Sequence, residues 1–355
     1  MKIVVDARFM GAKNTRGIGR YIEEMTEQMQ VVKKDEDSVV CARPEVKWYG
    51  WQEQWRMPWE LGKYQGDVVW IPHWNASVIQ PKPFVITIHD LLLMHQPASA
   101  QASTRGKVHA WIKRLGYKIV LNIAVRRAAK ILVPTQAVAE DVKFFFPRAE
   151  NKLQVTGEGL TKLPQPLSKP SSIQTPYLLY VGSAYPHKSL DLLIDAWQTI
   201  CTRDEKKSLV IAGKEDAFLE KIKQLVHQKR IPRVLFIGQI DDQELATLYA
   251  NAEAFVFPSQ FEGFGLPPVE ALGHGTPVIA SDINVLQEVL PKEGVFFFKA
   301  GQKDDMIRVI ESVLTDRSKA VHEAVLGAAI VRDVHRWDKA AAVALQAIRS
   351  VVHHH

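Results

Sequence analysis

The chain is poor in cysteine: Cys41 and Cys201 are the only two in 355 residues, and they lie far apart. That excludes a disulfide framework and offers no ligand spacing for structural zinc, and it fits a reducing cytoplasm. No apolar run reaches the ~20 residues that a membrane span requires. The opening residues, Met1-Lys2-Ile3-Val4-Val5-Asp6, meet an acid too early for a secretory leader. A large excess of charge of one sign is absent as well. The formal net charge of +6 is a mild basic excess, suited to an anionic ligand or anionic lipid but no footprint of nucleic-acid binding. A complete G-x-G-x-x-G fingerprint is missing after the first strand, which disfavours a dinucleotide-dependent dehydrogenase. One literal Asp-x-Asp occurs, Asp35-Glu36-Asp37, but it lies among lysines between a helix and a strand. It reads as a solvated turn, and no metal is expected.

What is there reads as two βα series. The length is a soft prior for two domains, each able to bury a core, and 46% apolar with 24% charged residues is ordinary for a globular chain. Strands are expected at Lys2–Ala7, Asp67–Ile71, Phe84–Ile88, Ile131–Val133 and Leu153–Thr156. A second series begins at Tyr177–Val181. Between them Leu163 to Pro176 carries Pro164, Pro166, Pro170 and Pro176 with interspersed polar residues, the composition of a linker. The boundary is placed near 168. This gives a domain over 1–168 that includes a closing helix at about 335–352, and a domain over 169–334. His353-His354-His355 reads as a purification-tag remnant.

The richest stretch is 254–282. A short strand, Ala254–Phe257, leads to Glu262-Gly263-Phe264-Gly265. A helix starts near Pro267-Pro268, where a missing N–H costs little, and a strand at Pro277–Ala280 closes the unit. Bare glycine backbone at a helix N-terminus favours an anion such as a phosphate. Glu262 and Glu270 flank those amides, so a ligand with hydroxyls at both ends and phosphate between fits: a nucleotide sugar. A second turn, Gly182-Ser183-Ala184-Tyr185-Pro186-His187-Lys188, puts a lysine just before a helix near Leu190, adding full charge to the helix dipole.

The Glu-x7-Glu spacing within EGFGLPPVEA resembles the signature of the retaining family 4 glycosyltransferases. The resemblance runs over nearly the whole chain and is strongest over 177–290. It implies an α/β GT-B fold, two Rossmann-like domains facing a central cleft with the C-terminal helix crossing back to the first. Residue by residue, it implies donor-sugar contacts from Glu262, and diphosphate and sugar contacts from Gly263, Phe264, Gly265 and Leu266. It puts the ribose on Glu270, the diphosphate on Lys188, and the base against Gly213, Lys214, Gly238 and Ile240. Gly17 and Gly19, in the turn after the first strand, map to a loop facing the donor diphosphate. His89, at the carboxyl end of a strand where α/β sheets bind ligands, maps to the active site near the reacting carbon; Asp90 orients it or starts the next loop. Ser183 stands where many members have arginine, so one expected cation is missing, and Arg16 or Arg20 is a candidate replacement.

The expected activity is transfer of a hexose, with retention of configuration and without metal or other cofactor. The donor is a nucleoside diphosphate sugar of the GDP-mannose or UDP-glucose type, and the acceptor a saccharide or lipid-linked saccharide. A catalytically weak donor-binding partner subunit and a nucleotide-sugar epimerase are the alternatives. Two surface features stay open. Trp51, Trp55 and Trp59 recur at one helical face; core packing or a helix lid is preferred, with an acceptor platform or a membrane-facing patch as the alternative. The basic helix at about 108–129 is a solvated face or a contact with the inner face of the membrane, and the polar stretch Pro97–Lys107 before it reads as a mobile loop.

Overall fold

The computed structural model describes residues 1–11, 16–81, 83–95, 107–168, 173 and 176–352. Residues 353–355, the polar stretch at 97–106 and part of the proline-rich stretch lie outside them. The chain divides into two compact units, Met1–Gly159 with His335–His355, and Leu160–Val334.

The first unit is built on a six-stranded parallel sheet in the order β2-β1-β3-β4-β5-β6. Its strands are β1 (Lys2–Asp6), β2 (Ser38–Ala42), β3 (Val68–Ile71), β4 (Phe84–Thr87), β5 (Lys130–Val133) and β6 (Leu153–Val155). Their near-continuous Val/Ile/Leu runs are what a parallel sheet covered on both faces requires. Among the described residues the helices that join or follow them are α1 (Arg16–Val32), α2 (Glu53–Gly62), α3 (Leu92–His95), α4 (Lys107–Arg127) and α5 (Gln136–Phe145). Thr135 caps α5 by accepting from the Val138 amide, as its hydroxyl and position allow.

The second unit repeats the plan, a parallel sheet in the order β12-β11-β10-β7-β8-β9. Here β7 is Tyr177–Val181, β8 Ser208–Ala212, β9 Val234–Gly238, β10 Ala254–Phe257, β11 Val278–Ser281 and β12 Val295–Phe298. The helices are α6 (Leu190–Arg203), α7 (Ala217–Gln228), α8 (Asp242–Asn251), α9 (Leu266–Gly273), α10 (Asn284–Val289), α11 (Lys303–Thr315) and α12 (Arg317–Val334). The start of the proline-rich stretch is laid on α8. The Leu167 amide donates to Thr247 Oγ1 (3.0 Å), and Gln243 donates to the Gln165 carbonyl.

The chain then returns to the first unit as α13 (Trp337–Val352). Ala340, Ala341 and Ala344 line its buried face and let it pack closely on α1. Its start rests on Gly159, where a Cβ would lie 2.4 Å from the Trp337 nitrogen, so only glycine fits. Arg349 pairs with Asp37 (2.6 Å), which is also 3.2 Å from the N-terminal ammonium. Asp35 and Glu36 are exposed as the solvated-turn reading expects, whereas Asp37 is buried under these two cations.

Two expectations are corrected. The helix takes in Gly17 and Gly19, since α1 begins at Arg16 instead of following the glycine pair. The tryptophans are not core: Trp51, Trp55 and Trp59 are exposed, and the residues of α2 that face inward are Glu53, Met57 and Leu61.

Candidate active site

In the second sheet β7 and β10 are neighbours, and the chain steps outward from them in opposite directions, to β8 and to β11. This is the switch point of a doubly wound sheet, where the loops after two adjacent strands diverge and leave room for a ligand at the strands' carboxyl ends. The loop after β7 carries Lys188 and the loop after β10 carries Glu262. The two loops are stitched together: the Gln260 amide donates to the His187 carbonyl (2.8 Å), and Gln260 Nε2 donates to Ser189 Oγ (2.8 Å). Lys188 sits in a single 3-10 turn, Pro186–Lys188, and Ser189 takes the left-handed conformation (φ 50°) to swing the chain into α6.

The result brings the Lys188 ammonium to 2.5 Å from Glu262 Oε1, in a half-buried setting. Tyr180, buried at the root of the loop, donates to the Ser183 carbonyl (2.6 Å). Its phenol is held well above its ordinary pKa, first by burial and then by the Glu262 charge. Gly265 caps α9 with φ 96°, a left-handed conformation, and a Cβ there would meet Leu286 at 2.7 Å; both reasons demand glycine. Pro267 and Pro268 follow inside the first turn, as expected, with Leu266 as the first helical residue. Phe264 is buried. Among the described residues the Gly265 and Leu266 amides donate to no protein group.

Glu270 is buried in α9, where Oε2 accepts from the Tyr249 hydroxyl (3.1 Å). Tyr249 had no signal in the sequence beyond lying next to the central unit. The glycines after β8 and β9 meet each other. Gly213 donates its amide to the Gly238 carbonyl (2.9 Å), and its missing Cβ leaves room for the Gly182 carbonyl. Lys214 is exposed and Ile240 buried.

In the first unit, His89 follows β4. Its Nε2 is 3.1 Å from the Pro72 carbonyl, to which it donates, and its Nδ1 is 3.6 Å from Glu158 Oε1. Tyr21 of α1 packs edge-on against the ring (4.6 Å), so the buried face of α1 and the histidine are mutually positioned. Asp90 accepts from the Leu92 amide (2.9 Å) and so starts the following turn. Glu158, which follows β6, is buried beside His89.

A denser buried network lies at the carboxyl ends of β1 and β3. Arg8 donates to both oxygens of Asp6 (2.8 and 2.7 Å) and to Glu53 Oε1 (2.9 Å), with its guanidinium 3.8 Å over the Trp48 ring. Glu53 Oε2 accepts from the Tyr49 amide (2.9 Å) and from Asn75 Nδ2 (2.7 Å). The Asn75 amide in turn donates to His73 Nδ1 (3.2 Å). That bond fixes His73 as the neutral Nε2–H tautomer. Burial, then the neighbouring His89 and Arg8 charges, lower its pKa to about 3. A histidine depressed in the folded state contributes stability that is full above ~6.5 and lost as pH falls toward the folded value. The unfolding free energy measured in urea is therefore expected to fall below pH 6 by up to about 1.4 kcal/mol per pH unit. His73→Asn should flatten that slope between pH 6.5 and 5; an unchanged slope would mean that His73 protonates freely.

Among the described residues, no group of three or more His, Cys, Asp or Glu is placed to hold a metal ion. No helix among them is long and apolar enough to cross a membrane.

Residues 167–325 match the family model "Glycosyl transferases group 1". The chain is 28% identical over 214 residues to the O-antigen chain mannosyltransferase RfbU of Salmonella typhimurium, a match covering 59% of this chain and 55% of that one; it thus spans about half of that relative's length. Sucrose-phosphate synthase from Thermosynechococcus elongatus superposes over 100% of both chains with a TM-score of 0.75 at 19% identity. Anabaena Alr3699/HepE in complex with UDP-glucose superposes over 99% of both with a TM-score of 0.70 at 18% identity. The chain has the GT-B fold, and within its second unit it is similar to the group 1 glycosyl transferases.

Proposed function

We propose that the chain is a retaining hexosyltransferase. It moves a sugar from a nucleoside diphosphate sugar, of the GDP-mannose or UDP-glucose type, to a hydroxyl of a saccharide or lipid-linked saccharide, in polysaccharide, lipopolysaccharide or glycolipid synthesis. The observation that carries this reading is the Lys188–Glu262 pair held across the switch point beside the glycine-capped start of α9. A dianionic diphosphate draws Lys188 away from Glu262. The ammonium and the Gly263–Leu266 amides then take the charge that develops on the leaving phosphate, the kind of preorganised stabilisation that dominates such reactions. Glu262, released from its cation, accepts from the sugar hydroxyls. Glu270, oriented by Tyr249, accepts from the ribose, and the base rests against the turns at Gly213, Lys214, Gly238 and Ile240.

The first unit would contribute Gly17, Gly19 and His89 to the donor, and it would take the acceptor. The bond from the anomeric carbon to the phosphate oxygen breaks as the acceptor oxygen bonds the same face. The departing phosphate receives the acceptor proton. Fixed positive charge makes a metal unnecessary in this scheme. The RfbU relative is a mannosyltransferase by name, which favours GDP-mannose, and a polysaccharide acceptor implies work at the inner face of the membrane.

The test is a thermal-shift screen of nucleotide sugars. The cognate donor at a hundredfold its Kd stabilises the protein by about 2.7 kcal/mol, and Glu262→Ala is expected to remove most of that shift. Undiminished stabilisation in the variant would overturn the site. Recovery of an isomerised sugar from donor alone would replace transfer by epimerisation.

A further inference from the structure

We propose that the outer surface of α2 and α4 in the first unit is a docking face for an anionic lipid bilayer. The sheet order fixes where these helices stand. The connections β2–α2–β3 and β4–α4–β5 step across the sheet in one direction, and β1–α1–β2 steps in the other. Parallel crossovers share one hand, so α2 and α4 cover the same face of the sheet, and α1 with α13 covers the opposite one. The segment between β3 and β4 ties the two helices together. Val78 donates to Gln54 Oε1 of α2 (2.9 Å), and Arg127 of α4 donates to the Gln80 carbonyl (2.9 Å).

Both helices are apolar on two sides. The inner side of α4 is Tyr117, Leu121, Ala124 and Val125. Its outer side repeats large apolar groups four residues apart: Trp111 (63% exposed), Leu115 (43%) and Ile119 (49%). Trp51 (84%), in the turn before α2, and Trp55 (54%) and Trp59 (64%) on its outer side continue this, and Ile79 is exposed on the segment between the two helices. Scattered exposed apolar residues need no explanation, but two parallel rows on one face do.

Charge selects the occupant. Over its 21 residues α4 carries six Lys and Arg and no Asp or Glu, which equals the formal charge of the whole chain, +6. The rest of the chain therefore balances to zero; of the α4 cations, Lys118 and Arg126 are exposed alongside the apolar row, whereas Arg127 is taken up by the Gln80 carbonyl. The Lys63 ammonium lies 3.6 Å over the Trp59 ring and 2.9 Å from Glu60, so it packs on the tryptophan without adding net charge. Tryptophan flanked by Lys and Arg is the composition of the bilayer interface, where the ring sits at headgroup depth and the cation meets lipid phosphate.

The experiment is co-sedimentation of the full chain with vesicles of one part phosphatidylglycerol to three parts phosphatidylethanolamine, against phosphatidylcholine alone. Wild type is expected to bind the anionic vesicles and not the zwitterionic ones. Trp51→Ser/Trp55→Ser/Trp59→Ser should weaken binding at least roughly a hundredfold. Lys118→Glu/Arg126→Glu should weaken it roughly thirtyfold or more, and added salt should mimic that loss. Because these side chains are exposed, the variants should keep the wild-type melting temperature. Acyl-brominated lipid should quench tryptophan emission in wild type and much less in the triple tryptophan variant. Absence of binding to anionic vesicles, or binding unchanged in the triple variant, would overturn the proposal. So would self-association that the triple variant abolishes while vesicles stay unbound, since a second copy would then cover the face. Docking stands apart from the sugar chemistry: a chain that binds vesicles but gains no stability from any nucleotide sugar would keep this inference and lose the function proposed above.

Discussion

Lys188→Met should lower kcat by roughly 10²–10³ while the protein melts nearly where wild type does. The two halves of that expectation come from the same pair. The ammonium and Glu262 Oε1 are 2.5 Å apart with side chains 19% and 11% exposed, in a loop already held by the Gln260 bonds to His187 and Ser189. A half-buried pair on a surface loop is worth about 1 kcal/mol or less to folding, so a structural role predicts a small stability loss and no effect on turnover. A role at the leaving group predicts the reverse, because a cation aimed at charge that appears only in the transition state acts on kcat. Glu262→Gln separates the partners. If Glu262 only restrains Lys188 in the empty site, the Gln variant binds the bare nucleoside diphosphate as tightly as wild type or more so. If it also holds the sugar, that variant loses affinity for the intact donor and not for the diphosphate. Lys188→Met with kcat within threefold of wild type would remove the leaving-group assignment, and Lys188→Arg should recover part of the rate if charge is what matters. The Ser183 position offers no second cation, which makes the expected loss larger than it would be where two shared the load.

The second unit was legible almost to the residue. Tyr177–Val181 and Ala254–Phe257 are strands with the expected bounds, since unbroken apolar runs bounded by glycine or proline have few other ways to fold. The loops after them carry Lys188 and Glu262 at one switch point, a placement that follows once both runs are strands of one parallel sheet. That the two residues pair directly was not legible, because no local rule sets the distance between side chains 74 positions apart. The tryptophans failed for a different reason. Spacing of four shows that Trp51, Trp55 and Trp59 share a face, but Glu53, Met57 and Leu61 share another at the same spacing. Hydrophobicity chose the tryptophan face as inner. The inner face instead carries a glutamate, which a buried arginine from the end of β1 neutralises. Asp37 went unread similarly, since its partner Arg349 lies in the last helix.

That arginine carries the largest expected effect on stability: Arg8→Ala should cost the first unit about 3–5 kcal/mol and lower its melting temperature by roughly 10 °C. Arg8, Asp6 and Glu53 have side chains no more than 4% exposed, and the single guanidinium serves both carboxylates. Removing it leaves two buried acids facing each other without a counter-charge, whereas an exposed pair would simply be rehydrated. Even with Arg8 in place, burial raises the Glu53 pKa above its ordinary value against the pull of Arg8, Asn75 and the Tyr49 amide. Without Arg8 that pKa rises further, which gives the pH test its sign. A carboxyl with a folded pKa above its unfolded one destabilises when ionised, and the penalty shrinks as pH falls through the folded value. The gap between wild type and Arg8→Ala should therefore narrow from pH 7.5 to pH 5.5, and adding Glu53→Gln should recover much of the loss at pH 7.5. A gap that stays constant with pH would assign the cost to lost packing of the guanidinium on Trp48 instead of to stranded charge. The consequence reaches past stability. The same network holds Tyr49 in a left-handed conformation (φ 54°) and anchors the His73–Asn75 segment after β3, so its loss frees both loops at the switch point of the first sheet. If those loops shape the acceptor site, Arg8→Lys, which keeps one charge but not the forked contact to Asp6, should raise the acceptor KM while leaving donor-induced thermal stabilisation in the second unit unchanged.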